Sequence, residues 1–274
     1  MAEMMGHRRG MFFTLSMMLL GSALLSFIFF LSEQSTKSSD TVAYLMEIDR
    51  ASDKYSEVED SLARILSQSI NISVQNSTVN IQESLPLNAQ MYDDLDTFAR
   101  FEANYSDMNV SMNLTDIKSG RFIIQPSGTV VANSAGNFGV TPQNSAASAG
   151  TLKTYDVEIA FQPGSFDDAA WLALSNSSGD TMNVHVRIRD ASYAVIKDFY
   201  NALDKHGSSS INVTRLGTTV AVIRFSSPAA LHVQCSENIG LKASISFSTP
   251  AYVDADDTIS VKYAANRTGR VRIA

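Results

Sequence analysis

The chain is poor in the residues that build covalent staples and metal centres. Its single cysteine, Cys235, allows neither an internal disulfide nor a cysteine-based metal site. At 274 residues the chain can still bury enough apolar surface to fold without one. Cys235 lies in the apolar run 230–235 and reads as core. Positive charge is also scarce. The net charge is −7, which excludes nucleic acid as a partner because phosphate binding needs a basic face. The four histidines, His7, His185, His206 and His232, are scattered. No GxSxG, HExxH, GxxxxGK(S/T) or GxGxxG motif is present, and nothing in the sequence points to a grouping of serine, histidine and aspartate. An enzyme is therefore not expected, nor a cofactor.

Two local absences say more. Residues 11–31, MFFTLSMMLLGSALLSFIFFL, contain no charge. As a helix this stretch is about 31 Å long, the thickness of a bilayer hydrocarbon core. Arg8 and Arg9 precede it and Glu33 follows, so the positive-inside rule puts residues 1–10 in the cytoplasm and everything past residue 32 outside. The apolar run is longer than a secretory signal core, and no small-x-small cleavage site follows it. A single-pass protein of the cell membrane is expected, with its C-terminal domain extracellular. The second absence is that neither Gly nor Pro occurs from Ser22 to Leu85, so nothing strongly breaks a helix there.

The basic leader ending Arg8-Arg9-Gly10, followed by Met11-Phe12-Phe13-Thr14-Leu15-Ser16, resembles the start of archaeal type IV pilin-like proteins. The resemblance implies a class III signal peptide, cut by a dedicated peptidase between Gly10 and Met11. It also implies other pilin-like subunits as partners. Main pilins of that family carry glutamate at the fifth mature position, where this chain has Leu15. The departure points to a minor filament component or to a subunit that stays in the membrane.

Beyond the anchor, residues 32–70 read as a helical stalk. Tyr44, Ile48, Ala51, Tyr55, Val58, Leu62 and Ile65 recur at alternating intervals of four and three, a heptad seam. The seam serves either self-association through residues 11–70 or packing of the helix on its own domain. The polar string 32–39 reads as a hinge or a frayed continuation, with Ser39 or Asp40 able to cap a new helix.

After Ile70 the period falls to two, and residues 71–274 read as an antiparallel β-sandwich, jelly-roll-like, making the chain mainly β. A short helix is expected near 88–103, with Asp93, Asp94 and Asp96 at its start and Phe98 and Phe101 facing inward. Strands are expected near 71–74, 79–81, 108–115, 120–125, 128–133, 153–161, 169–175, 181–189, 211–216, 218–225, 229–235, 241–248, 258–264 and 270–273. Residues 191–205 fit either a helix or a hairpin partner of 182–189, with a strand at 193–200 preferred. The Gly-, Ser- and Ala-rich stretch 134–150 reads as an exposed loop.

Eight Asn-x-Ser/Thr sequons occur, at Asn71, Asn76, Asn104, Asn109, Asn113, Asn176, Asn212 and Asn266. Chance gives about three in this composition, and all eight lie on the side expected to be outside, so N-glycosylation is expected. Asp254, Asp256 and Asp257 are placed in a loop, as a solvated turn or a weak Ca²⁺ candidate. Trp171 is read as core rather than as a platform for surface carbohydrate. The expected function is that of a minor pilin or pilin-like filament or adhesion component in the membrane lipid. The alternative is a permanently anchored protein binding carbohydrate or a cell-surface partner, and an anchored ectohydrolase ranks third.

Overall fold

The computed structural model describes residues 3–85, 89–134, 136–143, 149–172, 179–190, 195–262 and 266–273. Side chains are described from Met18 onward, except at 19, 36, 38, 39, 89, 195, 196 and 266. The chain is mainly β, with antiparallel sheets and a long N-terminal helix. That helix, α1, runs unbroken from Glu3 to Ser67. No hinge or new cap forms at 32–39, because nothing there breaks the helix and Glu33 and Lys37 pair one turn apart at 2.7 Å. It closes in a tight turn at its foot, where the backbone N–H groups of Gln68 and Ser69 bond to the carbonyls of Ile65 and Leu66.

Among the described residues sixteen strands follow, in two sheets. The first sheet holds β1 (Ile70–Gln75), β2 (Thr78–Leu85), β14 (Ile239–Phe247), β7 (Leu152–Phe161), β9 (Thr181–Arg189) and β10 (Val195–Asp204), in that spatial order. The second runs β16 (Asn266–Arg272), β15 (Tyr252–Lys262), β4 (Arg121–Gln125), β5 (Thr129–Ser134), β6 (Asn137–Pro142), β13 (Ala230–Cys235), β12 (Thr218–Ser226), β11 (Ser209–Arg215) and β8 (Asp168–Leu172). A further strand, β3 (Asn109–Asn113), branches onto β15. Six strands facing ten exceed the eight of a jelly roll. The pairing is not wholly antiparallel either, since β7 and β9 run parallel. Between them the chain crosses to the second sheet to make β8 and returns, so β9 enters in the direction of β7.

The alternating apolar faces of both sheets meet in one core. Val157 and Ile159 of β7 and Leu241 and Ile245 of β14 lie fully inside, facing residues such as Ile223, Phe225 and Val233 of the second sheet. Tyr155 joins the sheets directly: its ring lies 6.1 Å from Phe225 and its hydroxyl donates to the Ala229 carbonyl at 2.8 Å. Desolvation of that buried phenol pushes its pKa far above the usual value.

Several expectations are corrected. The stretch 134–150 is not simply a loop, because β6 lies within it and buries Phe138 and Val140. Asp254, Asp256 and Asp257 lie in strand β15, which starts at Tyr252 rather than near 258. Residues 191–205 give no helix: β10 pairs with β9 from Val195 to Asp204, while 191–194 lie outside the described residues. The helix near 88–103 is α2 (Ala89–Tyr105), and Phe101 points outward, 55% exposed. No acidic residue occupies its first turn; Asp96, a turn later, pairs with Lys118. Lys118 ends α3 (Thr115–Lys118), a short helix in the interval between the strands expected at 108–115 and 120–125.

Candidate functional site

The feature that most constrains function is α1, because its two halves face different surroundings. From Ala51 downward one stripe is buried on the head: Ala51, Tyr55, Val58, Leu62 and Leu66 are at most 6% exposed, and Ile65 is half-buried. These residues lie against β1, β15, β16 and α2, closing the open side of the two sheets. Tyr55 fixes the register: its hydroxyl donates to the Arg270 carbonyl at 2.8 Å, and the Arg267 guanidinium sits 4.8 Å from its ring centre. Gly269 lets the strand come this close, since a Cβ there would stand 2.6 Å from the tyrosine oxygen. Lys54 reaches from α1 to Glu102 of α2 at 3.0 Å, both side chains largely buried.

The lower seam residues thus serve packing on the chain's own head. Tyr44 and Ile48, of the same seam, do not; they are 54% and 39% exposed. Above them the helix projects with Leu24, Leu25, Phe27, Ile28, Phe29, Phe30 and Leu31 exposed, together with Met18 and Leu20. Among the described residues no helix is long and apolar enough to cross a membrane. Residues 11–17 and 19 of the expected span, including Met11, lie outside the described side chains, as does Gly10.

The second feature is the outer face of the first sheet, which is polar from edge to edge. Its register sets side chains in rungs. One runs Asn71, Gln82, Lys242, Glu158, Arg187, Asp198, and the next runs Ser73, Asn80, Ser244, Asp156, His185, Tyr200. Charges of alternating sign meet across strands: Arg187 holds Asp156 at 2.8 Å, and Arg189 holds Glu158 at 3.2 Å. His185 contacts Asp198 at 2.7 Å and Asp156 at 3.5 Å. Asp156 separates Ser244 from His185, and the Ser244 hydroxyl donates to Asn80, so this row is not a nucleophile–base pair. The pleat of β9 turns His185, Arg187 and Arg189 outward. Their acidic partners on β7 lie some thirty positions earlier, a pairing that only the sheet order reveals.

The sequon asparagines are mostly at the surface. Asn71, Asn76, Asn104, Asn109 and Asn113 are exposed and Asn212 is half-buried. Asn176 and the side chain of Asn266 lie outside the described residues. The three aspartates of β15 are split by the pleat. Asp257 faces inward and accepts the backbone N–H groups of Asp116 and Ile117 at 2.9 and 2.7 Å, capping α3. Asp256 faces outward to Arg270 at 3.3 Å, and burial raises the pKa of Asp254. Among the described residues no group of three or more His, Cys, Asp or Glu side chains is arranged to hold a metal ion. Trp171 rests on Phe225 and edge-on to Phe199, its indole N–H donating to Ser209. Cys235 is half-buried with its thiol on the Gly136 carbonyl, and desolvation pushes its pKa up to about 11.

The chain matches no protein-family model, no curated protein and no solved structure.

Proposed function

We propose that the chain is a membrane-anchored, N-glycosylated cell-surface protein acting as a minor pilin-like component of a filament or adhesive assembly. One observation carries this reading: a single unbroken helix is buried on the head from Ala51 down and displays large apolar side chains above it. An apolar helix surface of this extent is not stable in water and needs lipid or other helices around it. Residues 32–50 would hold the head about 28 Å from the apolar segment, room enough for neighbouring subunits to pack between. The proposal assigns the head no catalysis.

The leader decides between a filament subunit and a permanent anchor. With Arg8 and Arg9 attached, withdrawal of the helix from a bilayer would drag both through hydrocarbon, at roughly 3 kcal/mol each. Cleavage after Gly10 removes them. Mass spectrometry of the N-terminal peptide from native membranes should find Met11 first, and Gly10→Val should block the cut. An intact leader on the native protein would overturn the pilin-like reading in favour of a permanently anchored protein.

A further inference from the structure

Beside the foot of α1 the polar rungs of the first sheet are interrupted by two small residues. The rung nearest the foot of α1 runs Ser84, Gly240, Ala160, Arg189. Gly240 and Ala160 have too little bulk to fill the interval between their longer neighbours, and a hollow of about 320 Å³ results. The end of α1 at Ser67–Ser69 bounds it on one side, and Gln82, Glu158 and Lys242 bound it on the other. A second hollow of about 200 Å³ adjoins it on the Ser73–Asn80–Ser244 rung. Asn71, Gln82 and Lys242 belong to the walls of both. No other sequon asparagine among the described residues lines either hollow.

We propose that Asn71 carries a glycan whose first sugars lie in the larger hollow, against the foot of α1, rather than projecting into solvent. The inference rests on the reading of the head as a glycosylated extracellular domain. Three observations support it beyond the sequon. First, the Asn71 side chain is exposed and sits at the mouth of the hollow, so an attached sugar needs no long reach. Second, the lining chemistry is that of a saccharide site without an aromatic platform: amides of Gln68 and Gln82 and hydroxyls of Ser69 and Ser84 can both donate and accept. Glu158 is shared among Arg187, Arg189 and Lys242, and its 3.8 Å separation from Lys242 is the longest of the three, leaving that ammonium group the freest to meet a sugar oxygen. Third, the volume lies within the range of small-ligand sites, roughly 300–1,000 Å³. Tethering removes the need for intrinsic affinity. A covalently attached group has an effective concentration on the order of millimolar, so a site with a millimolar Kd for the free sugar would be about half filled. Seated there, the glycan would brace the joint where α1 meets β1.

The test uses the full-length protein purified from its native membrane. Glycopeptide mass spectrometry first reads which sequons are occupied. Mild periodate oxidation of the folded protein then compares the same glycan at Asn71 and at Asn109, an exposed site on β3. The expected result is at least tenfold slower oxidation at Asn71. Ala160→Leu, which fills the hollow from the outer face, should raise the Asn71 rate to that of Asn109 with occupancy unchanged. Gly240→Leu is the second variant: its Cβ meets only that of Ala160, at an ordinary 3.7 Å. Equal oxidation at the two sites in the unmodified protein would overturn the inference. So would an empty Asn71 beside other occupied sequons, which leaves the glycosylated reading intact. A protein bare at every sequon would remove that reading as well. Protection that persists in both filled variants would show that something other than this hollow shields the sugar.

Discussion

Glu83 is the clearest case of a side chain placed against its chemistry. On β2 it follows Val79 and Ile81 on the inward face and is 5% exposed. One carboxyl oxygen has no hydrogen-bond partner, and the amide atoms of the equally buried Asn133 have none either. Desolvation pushes the Glu83 pKa up to about 7, with the nearby Asn133 amide acting in the opposite direction. In the unfolded chain the group titrates at its ordinary value of 4.5. Its folded pKa is the higher one, so its contribution to stability is fully present below pH 4.5 and is lost as pH rises through 7. A shift of about 2.5 units at 1.36 kcal/mol per unit sets the loss at about 3 kcal/mol by pH 8. Glu83→Gln mimics the protonated acid and should abolish this dependence. Urea unfolding of the detergent-solubilised protein, followed by the fluorescence of Trp171, measures it at pH 5 and pH 8. Subtracting wild type from variant cancels the histidines. The variant should match wild type within about 1 kcal/mol at pH 5 and exceed it by about 3 kcal/mol at pH 8. A difference independent of pH would refute the reasoning, because it would mean that Glu83 does not carry its proton into the folded state.

Two further predictions test how α1 sits on the head. Leu62→Ala, at a fully buried seam position, should cost about 3 kcal/mol in the same assay, whereas Leu45→Ala, 55% exposed, should change stability by less than about 0.5 kcal/mol; equal effects would refute the division of the helix into packed and projecting halves. Gly269→Ala should cost about 2 kcal/mol by driving a Cβ into the Tyr55 hydroxyl and breaking its bond to Arg270. In a Tyr55→Phe background, where that oxygen is gone, the penalty should shrink measurably in a double-mutant cycle, and strict additivity would count against the contact.

The elements that were legible from the residues are those whose signal is local. The seam from Ala51 to Leu62 shows itself because a helix repeats its burying face every three to four positions whatever it packs on. Strands such as 181–189 show themselves because a pleat alternates at every residue. Gly, Ser and Ala in 134–150 hid β6, since a strand held mainly by backbone pairing to β5 and β13 needs few bulky side chains. The loop assigned to the three aspartates failed for the opposite reason: their clustering in sequence masked a pleat that sends Asp257 inward to cap α3 and leaves Asp256 outside. Where the seam stops burying itself, at Ile48, is invisible in its spacing, because Tyr44 and Ile48 continue the same repeat; only the height of the head against the helix ends the contact. The hollow beside Asn71 has the same origin, since Gly240 and Ala160 are 80 residues apart and become neighbours only through the pairing of β14 with β7. The sequence by itself determined helix, strand alternation and sequons, which depend on neighbours along the chain. The tertiary structure alone decided which surfaces face one another, because sheet order brings distant residues to one place.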